Sequence, residues 1–230
     1  MPAIPLPSSG GVPAAAPKTC DASGMAEIHR MFTFGFGKAP GLVQGVAAGD
    51  TAHAEVVARE LDLLSVAVHA HHEGEDERLW GPLEERAPAC AGHVERMKAQ
   101  HAQLLVHLEA LDAAVPAWRS SATAADAEPV LTALDGVNAA LNEHLPDEEA
   151  NIVPVMETVI TEPEIEWFSD HGRKATPKGQ SWNSLGLIIE SQPDGGDAWQ
   201  RKNLPAPVRL LWRVIGRPRY LKHRAALEGR

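Results

Sequence analysis

One arrangement of histidines and acids occurs twice in this chain, and it narrows the folds open to it. His71 follows His29 by 42 residues and leads to Glu75; His144 follows His101 by 43 residues and leads to Glu148. A few residues past each glutamate come an apolar pair and a proline: Leu79, Trp80 and Pro82 in the first half, Ile152, Val153 and Pro154 in the second. Spacing of i, i+4 puts His71 with Glu75, and His144 with Glu148, on one face of a helix. The chain thus reads as two helical hairpins, each a helix carrying one histidine followed by a helix carrying HxxxE.

The rest of the pattern agrees. Ala, Leu, Glu and Arg dominate residues 25–158, and alternating β-branched runs are few. Helix 1 is predicted over 22–37, with a short piece from Pro40 to Ala48. Helix 2 is predicted from an N-cap at Asp50 to Arg86, helix 3 over 90–114, and helix 4 from Pro129 to Met156, with 119–126 as a loop. Short connections then give an all-α, antiparallel up-down four-helix bundle. Pro146, inside the helix-4 motif, predicts a kink or bulge.

The histidines fall on the apolar stripes of these helices. His29 shares its face with Met25, Ala26, Phe32 and Phe36, and His71 with Leu64, Ala67, Val68 and Leu79. His101 shares its face with Met97, Leu104, Leu105 and Leu108, and His144 with Val137, Ala140, Leu141 and Ile152. Thr33, Arg78, Lys98 and Asn151 interrupt the stripes and mark their edges. Two hairpins packed together would bring four imidazoles and two carboxylates into the core. Buried carboxylates are costly unless paired or metal-bound, and a metal ion resolves that cost. Imidazole and carboxylate without thiolate suit iron or manganese, and less specifically zinc. Six ligands are too many for one open site and fit two ions if the carboxylates bridge. Neither the HExxH of zinc proteases nor the ExxH of ferritin-like bundles is present.

These motifs resemble the hemerythrin-like (HHE) cation-binding domain. The resemblance rests on EIHRMF around His29, HHEGEDERLWGPL at 71–83, QHAQLLVHLEAL at 100–111 and EHLPDEEANIVPV at 143–155, and it covers residues 22–158. It implies a four-helix bundle around two non-haem iron ions, with manganese as an alternative. The implied ligands are His29, His71, Glu75, His101, His144 and Glu148. Oxygen carriers of the family have a second histidine one turn before the helix-3 ligand, where this chain has Met97, a poor partner for ferric iron. His72 is a replacement candidate that points about 100° away from His71, so it would reach only the other ion or the groups behind the ligands. Asp76 and Glu149 are candidates for orienting the ligand imidazoles. The function implied is binding or activating O2, peroxide or nitric oxide, as an oxidoreductase on these or on a small organic substrate. The alternatives are a carrier or sensor of oxygen or iron without turnover, and a scaffold whose site has decayed. No residue is assigned as a separate acid or base; His72, Asp76 and Glu149 are the candidates. His53, His69, His93, His107, His171 and His223 read as surface or structurally satisfied residues. The cluster of Met25, Met31, Phe32, Phe34 and Phe36 reads as core, or as the wall of a dry pocket over the metals.

Outside the motifs, residues 1–21 are rich in proline and predict a disordered arm, and 159–230 predict a C-terminal extension, irregular over 159–200. Residues 201–230 hold nine Lys/Arg and one acid; the other 200 hold twelve Lys/Arg and thirty acids. The last segment therefore predicts basic amphipathic helices, broken near Gly216 and Pro218. They would dock on the acidic bundle through Val208, Leu211, Trp212 and Ile215, or meet a membrane surface or a protein partner. The net charge of −10 argues against nucleic acid as the main partner. No apolar run approaches the roughly 20 residues of a transmembrane helix, and no secretory signal is apparent. Two cysteines seventy residues apart predict neither a disulfide framework nor a thiolate zinc site, which points to a reducing cytoplasm.

Overall fold

A computed structural model describes residues 17–230, and among them there are helices and no strands. Four long helices form the body: α1 (Gly24–Gln44), α2 (Thr51–Arg78), α4 (Ala91–Ser121) and α5 (Ala124–Asn151). A short α3 (Trp80–Arg86) follows α2, and a short α6 (Val153–Val159) follows α5. The long helices pack in a ring, α1 on α2, α2 on α4, α4 on α5 and α5 on α1. Each adjacent pair runs antiparallel. Along α4 and α5, Arg96 meets Asp147, His101 meets His144 and Ser121 meets Asp126. Along α1 and α2, His29 meets His71 while Gly35 faces Leu64.

Helix limits differ from the sequence prediction at prolines expected to stop a helix (Pro40, Pro116) or to start one (Pro129). α1 runs through Pro40. The Phe36 carbonyl, which a proline at 40 cannot serve, accepts a hydrogen bond from Asn138 Nδ2 at 3.0 Å instead. α4 runs through Pro116, and α5 through Pro129 and Pro146, which leaves only Ala122 and Thr123 between α4 and α5. Thr123 caps α5 by accepting from Asp126 N, and Ala122 turns the chain with φ 48°. Conversely, the two HxxxE helices are each interrupted four residues past the glutamate, at Leu79 and Ile152. Prolines 82 and 154, which lack the N–H to continue the ladder, follow within three residues. Asp50 caps α2 as expected, accepting from His53 N at 3.0 Å.

The apolar interior is split into two layers. One holds Phe32, Phe36, Leu61, Leu64, Leu104, Leu108, Trp118, Leu134 and Leu141; the other holds Met25, Leu79, Trp80, Leu83, Met97, Ile152 and Met156. The buried histidines and glutamates lie between them along each helix. Leu105, expected on the core stripe, is 43% exposed, because it sits at the stripe's outer edge.

Residues 159–200 are not irregular. α7 (Glu162–Ala175) and α8 (Ser181–Ser191) are helices, followed by α9 (Asp197–Asn203). A capping box between Thr161 and Glu164 starts α7, a local signal that Pro163 in its first turn reinforces. α7 lies on α2 where Gly74 leaves room; a Cβ there would meet the Phe168 ring at 2.9 Å. α10 (Ala206–Leu211) and α11 (Arg217–Leu227) are joined by a π-helical turn over Trp212–Gly216 rather than broken. Of the face expected to dock, only Trp212 is buried, while Val208, Leu211 and Ile215 are exposed. The buried stripe is Trp212, Gly216 and Tyr220, seated on α8.

Of the arm expected over 1–21, residues 1–16 lie outside the described residues. Thr19 N donates to the Glu157 carbonyl at 2.8 Å, and Cys20 is buried. Cys20 and Cys90 are both free thiols. No helix among the described residues is long and apolar enough to cross a membrane.

Candidate metal centre

Four helices deliver the donors at one level of the bundle. His29 comes from α1, His71, His72 and Glu75 from α2, His101 from α4, and His144 and Glu148 from α5; all seven are buried. Their ligand atoms form two groups in which every atom lies within 4.8 Å of the others. One is His29, His71, Glu75 and Glu148; the other is His72, Glu75, His101 and His144. Glu75 belongs to both.

The distances describe two facing nests. In the first, His29 Nε2 is 3.2 Å from His71 Nε2 and 3.3 Å from Glu148 Oε2, and His71 Nε2 is 3.1 Å from Glu75 Oε1. In the second, His101 Nε2 is 3.2 Å from His144 Nε2 and 3.4 Å from Glu75 Oε2. Glu75 thus turns one oxygen to each nest. Glu148 Oε2 lies 3.7 Å from His144 Nε2, so it too stands near both.

The outer ring nitrogens are held from behind. His29 Nδ1 donates to Glu149 Oε1 at 2.9 Å, and His101 Nδ1 to Asp76 Oδ1 at 3.0 Å. His144 Nδ1 donates to Gln100 Oε1 at 3.1 Å, and Trp80 Nε1 fixes Asp76 at 2.6 Å. Hydrogen bonds of this kind select the tautomer whose bare Nε2 points inward. Asp76 and Glu149 therefore sit where the sequence placed orienting groups, and Gln100 is a third that the sequence reading missed. Its one signal in the sequence is its place beside His101.

Burial and charge shape the ionisation. Burial pushes the imidazoles of His71 and His72 well below their ordinary range, with the neighbouring rings adding to the effect. His144 is taken down to about 4 by burial first, against the pull of Glu148. His29 is raised: its burial is outweighed by the Glu148 carboxylate 3.3 Å from its Nε2 and by the hydrogen bond it donates to Glu149. Burial drives Glu75 well above the carboxylate range, and Glu148 beside it adds to this. Glu148 is lowered, its burial outweighed by the His29 imidazole 3.3 Å away and, after it, by the rings of His144 and His71.

The donor set leaves polar atoms orphaned. Both oxygens of Glu75, both of Glu148 and Nε2 of His72 are buried without a hydrogen-bond partner among the described residues. Unpaired buried polar atoms are rare and costly. Two carboxylates and five imidazoles around two centres are the ligands that a hard or borderline divalent cation takes, so the residues fit metal ions. Met97 lies in the apolar layer, fully buried, and it is His72 whose ring sits 4.2 Å from His101. The position equivalent to His72 in the second repeat is Leu145, which packs in the core.

Aromatic rings close the site. Phe32 and Phe168 each stand 5.2 Å from the His71 ring. His171, on α7 rather than in an irregular segment, is half-buried beside Gly74, stacked on Trp167 at 5.0 Å. Other histidines are satisfied elsewhere: His53 by the Leu227 carbonyl, His69 by Asp112, His93 by Arg96 and His223 by Glu60. Of the helix-1 cluster, Phe34 is only partly buried and carries Lys38 over its ring.

The architecture and this core define a class: an all-helical bundle with buried histidine–carboxylate nests for cations. Residues 25–156 match the profile described as the Hemerythrin HHE cation binding domain, and the chain belongs to that family. It shows no match among curated proteins or among solved structures.

Proposed function

We propose that the chain is a non-haem diiron protein that binds or activates a small ligand such as O2, peroxide or nitric oxide, as an oxidoreductase. The observation that carries this reading is the pair of four-residue nests sharing Glu75. In it, His29, His71 and Glu148 hold one ion, His72, His101 and His144 hold the other, and Glu75 lies between them; manganese is the alternative metal. Iron bound there would supply one- and two-electron redox chemistry toward such a ligand. The chain's own contribution is to aim the imidazoles of His29, His101 and His144 inward through Glu149, Asp76 and Gln100. Phe32, Phe168 and the apolar layers above and below keep bulk water out and favour a small guest.

A carrier or sensor without turnover is the second reading. What favours it is that Asp76 and Glu149, the acids beside the nests, are already engaged by the His101 and His29 rings.

Metal analysis of protein produced with ample iron tests the centre: two irons per chain are expected, and essentially none overturns it. Steady-state assay with hydrogen peroxide then separates the readings. Turnover above that of free iron supports the oxidoreductase, and its absence supports the carrier.

A further inference from the structure

We propose that the C-terminal helical run, residues 206–227, seats the protein on an anionic lipid surface. Over 206–222 only Trp212, Gly216 and Tyr220 are buried. They are spaced by four and form one narrow stripe against α8. A Cβ at Gly216 would meet the Trp182 ring at 2.5 Å, and one at Gly186 would meet the Tyr220 ring at 2.2 Å. Tyr220 also donates to Glu190. The stripe is therefore closely fitted and sets which way the rest of the helix faces.

What faces outward is apolar. Val208, Leu210, Leu211, Val214, Ile215 and Leu221 are all exposed, Val214 at 63% and Leu210 at 54%. Beside them stand Arg213, Arg217, Arg219 and Lys222, all exposed. Over residues 201–230 the ion pairs among the described residues are made by Lys202, His223, Arg224 and Arg230, and none by these four. An exposed apolar face with unpaired cations along it suits a membrane interface: the apolar side chains enter the headgroup–acyl boundary while Arg and Lys stems reach the headgroups. A protein groove would take a narrow row of anchors at i, i+3, i+4 and i+7. Here Leu211, Val214 and Ile215 fit such a row, but exposed Leu210 and Leu221 lie beside it and widen the face beyond it.

Charge separation along the chain supports the same partner. Residues 201–230 carry nine Lys/Arg against one acid, and the remainder carries thirty acids against twelve Lys/Arg. An anionic surface attracts the tail and repels the body, so the molecule would approach tail first.

The test is co-sedimentation of the full-length protein with phosphatidylcholine vesicles, with and without phosphatidylglycerol. Binding is expected only with phosphatidylglycerol and is expected to fall as salt is added. Replacing Arg213, Arg217, Arg219 and Lys222 by Gln should weaken partitioning about fivefold per charge. Leu211→Glu with Val214→Glu should abolish it. Both variants change exposed side chains, and unchanged helicity by circular dichroism shows that they fold. Failure to bind anionic vesicles, or equal binding by both variants, overturns the proposal. So does a dimer that Val214→Glu dissociates, which would put a second copy on this face.

Discussion

Asp76 accepts a hydrogen bond from His101 Nδ1 at 3.0 Å, which ties the first helical hairpin to the second just behind the donor cluster. Glu149 does the same for His29 at the equivalent place. In each case the acid is the residue after a nest glutamate, so one turn of helix supplies both an inward ligand and an outward clamp. Removing such a clamp frees the ring to rotate and lowers the basicity of its inner nitrogen. Asp76→Ala and Gln100→Ala are each expected to weaken metal binding by roughly 10–100-fold, read by competition with a chromophoric chelator. Unchanged affinity in both would show that packing alone orients these rings.

The two nests share Glu75 but not His72. Glu75→Ala is therefore expected to empty both, and His72→Ala to halve the metal content per chain. Elemental analysis distinguishes them. Equal loss in the two variants would mean that the ions bind only as a pair.

Much of this centre was legible in the sequence, because an i, i+4 pair on an apolar stripe has few uses other than a buried site. The four long helices were legible for the same reason. What local rules misjudged was tertiary. Asn138 rescues the carbonyl that Pro40 leaves free, so a helix predicted to end at Gly37 runs on to Gln44. α7 looked irregular because its apolar residues are few, although Thr161, Pro163 and Glu164 spelled out its start. Whether His72 joins the cluster could not be read from spacing alone; it depended on which side of α2 faces α4.

α7 is held over the site by a short list of contacts. Arg86 donates two hydrogen bonds to Glu164, both at 2.8 Å, and Glu164 also closes the capping box. The Arg86 guanidinium takes Glu164 down to about 2, but the pair is largely exposed, so its worth is that of a surface bridge plus a cap, about 1–2 kcal/mol. Glu164→Ala should lower the unfolding free energy by about that amount. It should also speed amide exchange over 162–175 more than elsewhere. Uniform exchange across the molecule would argue that α7 opens only with global unfolding.

Gly74→Ala addresses the same helix from beneath. In an open helix, alanine would stabilise by about 1 kcal/mol. Here its Cβ would stand 2.9 and 3.0 Å from two Phe168 ring atoms and 3.3 Å from His171. Phe168 is buried between helices, and overpacking costs about 1–3 kcal/mol. Net destabilisation in urea is expected, and a stabilised variant would show that α7 can lift at little cost.

Acid should destabilise the metal-free protein, and the sign follows from the neutral histidines. His71, His72 and His144 have lowered folded values, His144 about 4. Between pH 6.5 and 4 the unfolded chain binds protons that the folded chain refuses, so stability falls with pH across that window. For His144 alone the loss is about 3 kcal/mol by pH 4. Glu75 works against this: raised by burial, it takes its proton early and stabilises the folded state as pH falls toward 4.5. His29, also raised, contributes stability that is present below 6.5 and lost above its folded value. Three depressed imidazoles against one carboxyl leave a net loss across the window. Urea titrations in chelator at pH 7, 6 and 5 would measure it. His72→Leu, which copies the core residue Leu145 of the other repeat, removes one refused proton and should reduce the slope by up to about 1.4 kcal/mol per pH unit. An unchanged slope in that variant would mean that His72 is reached by water and takes its proton freely.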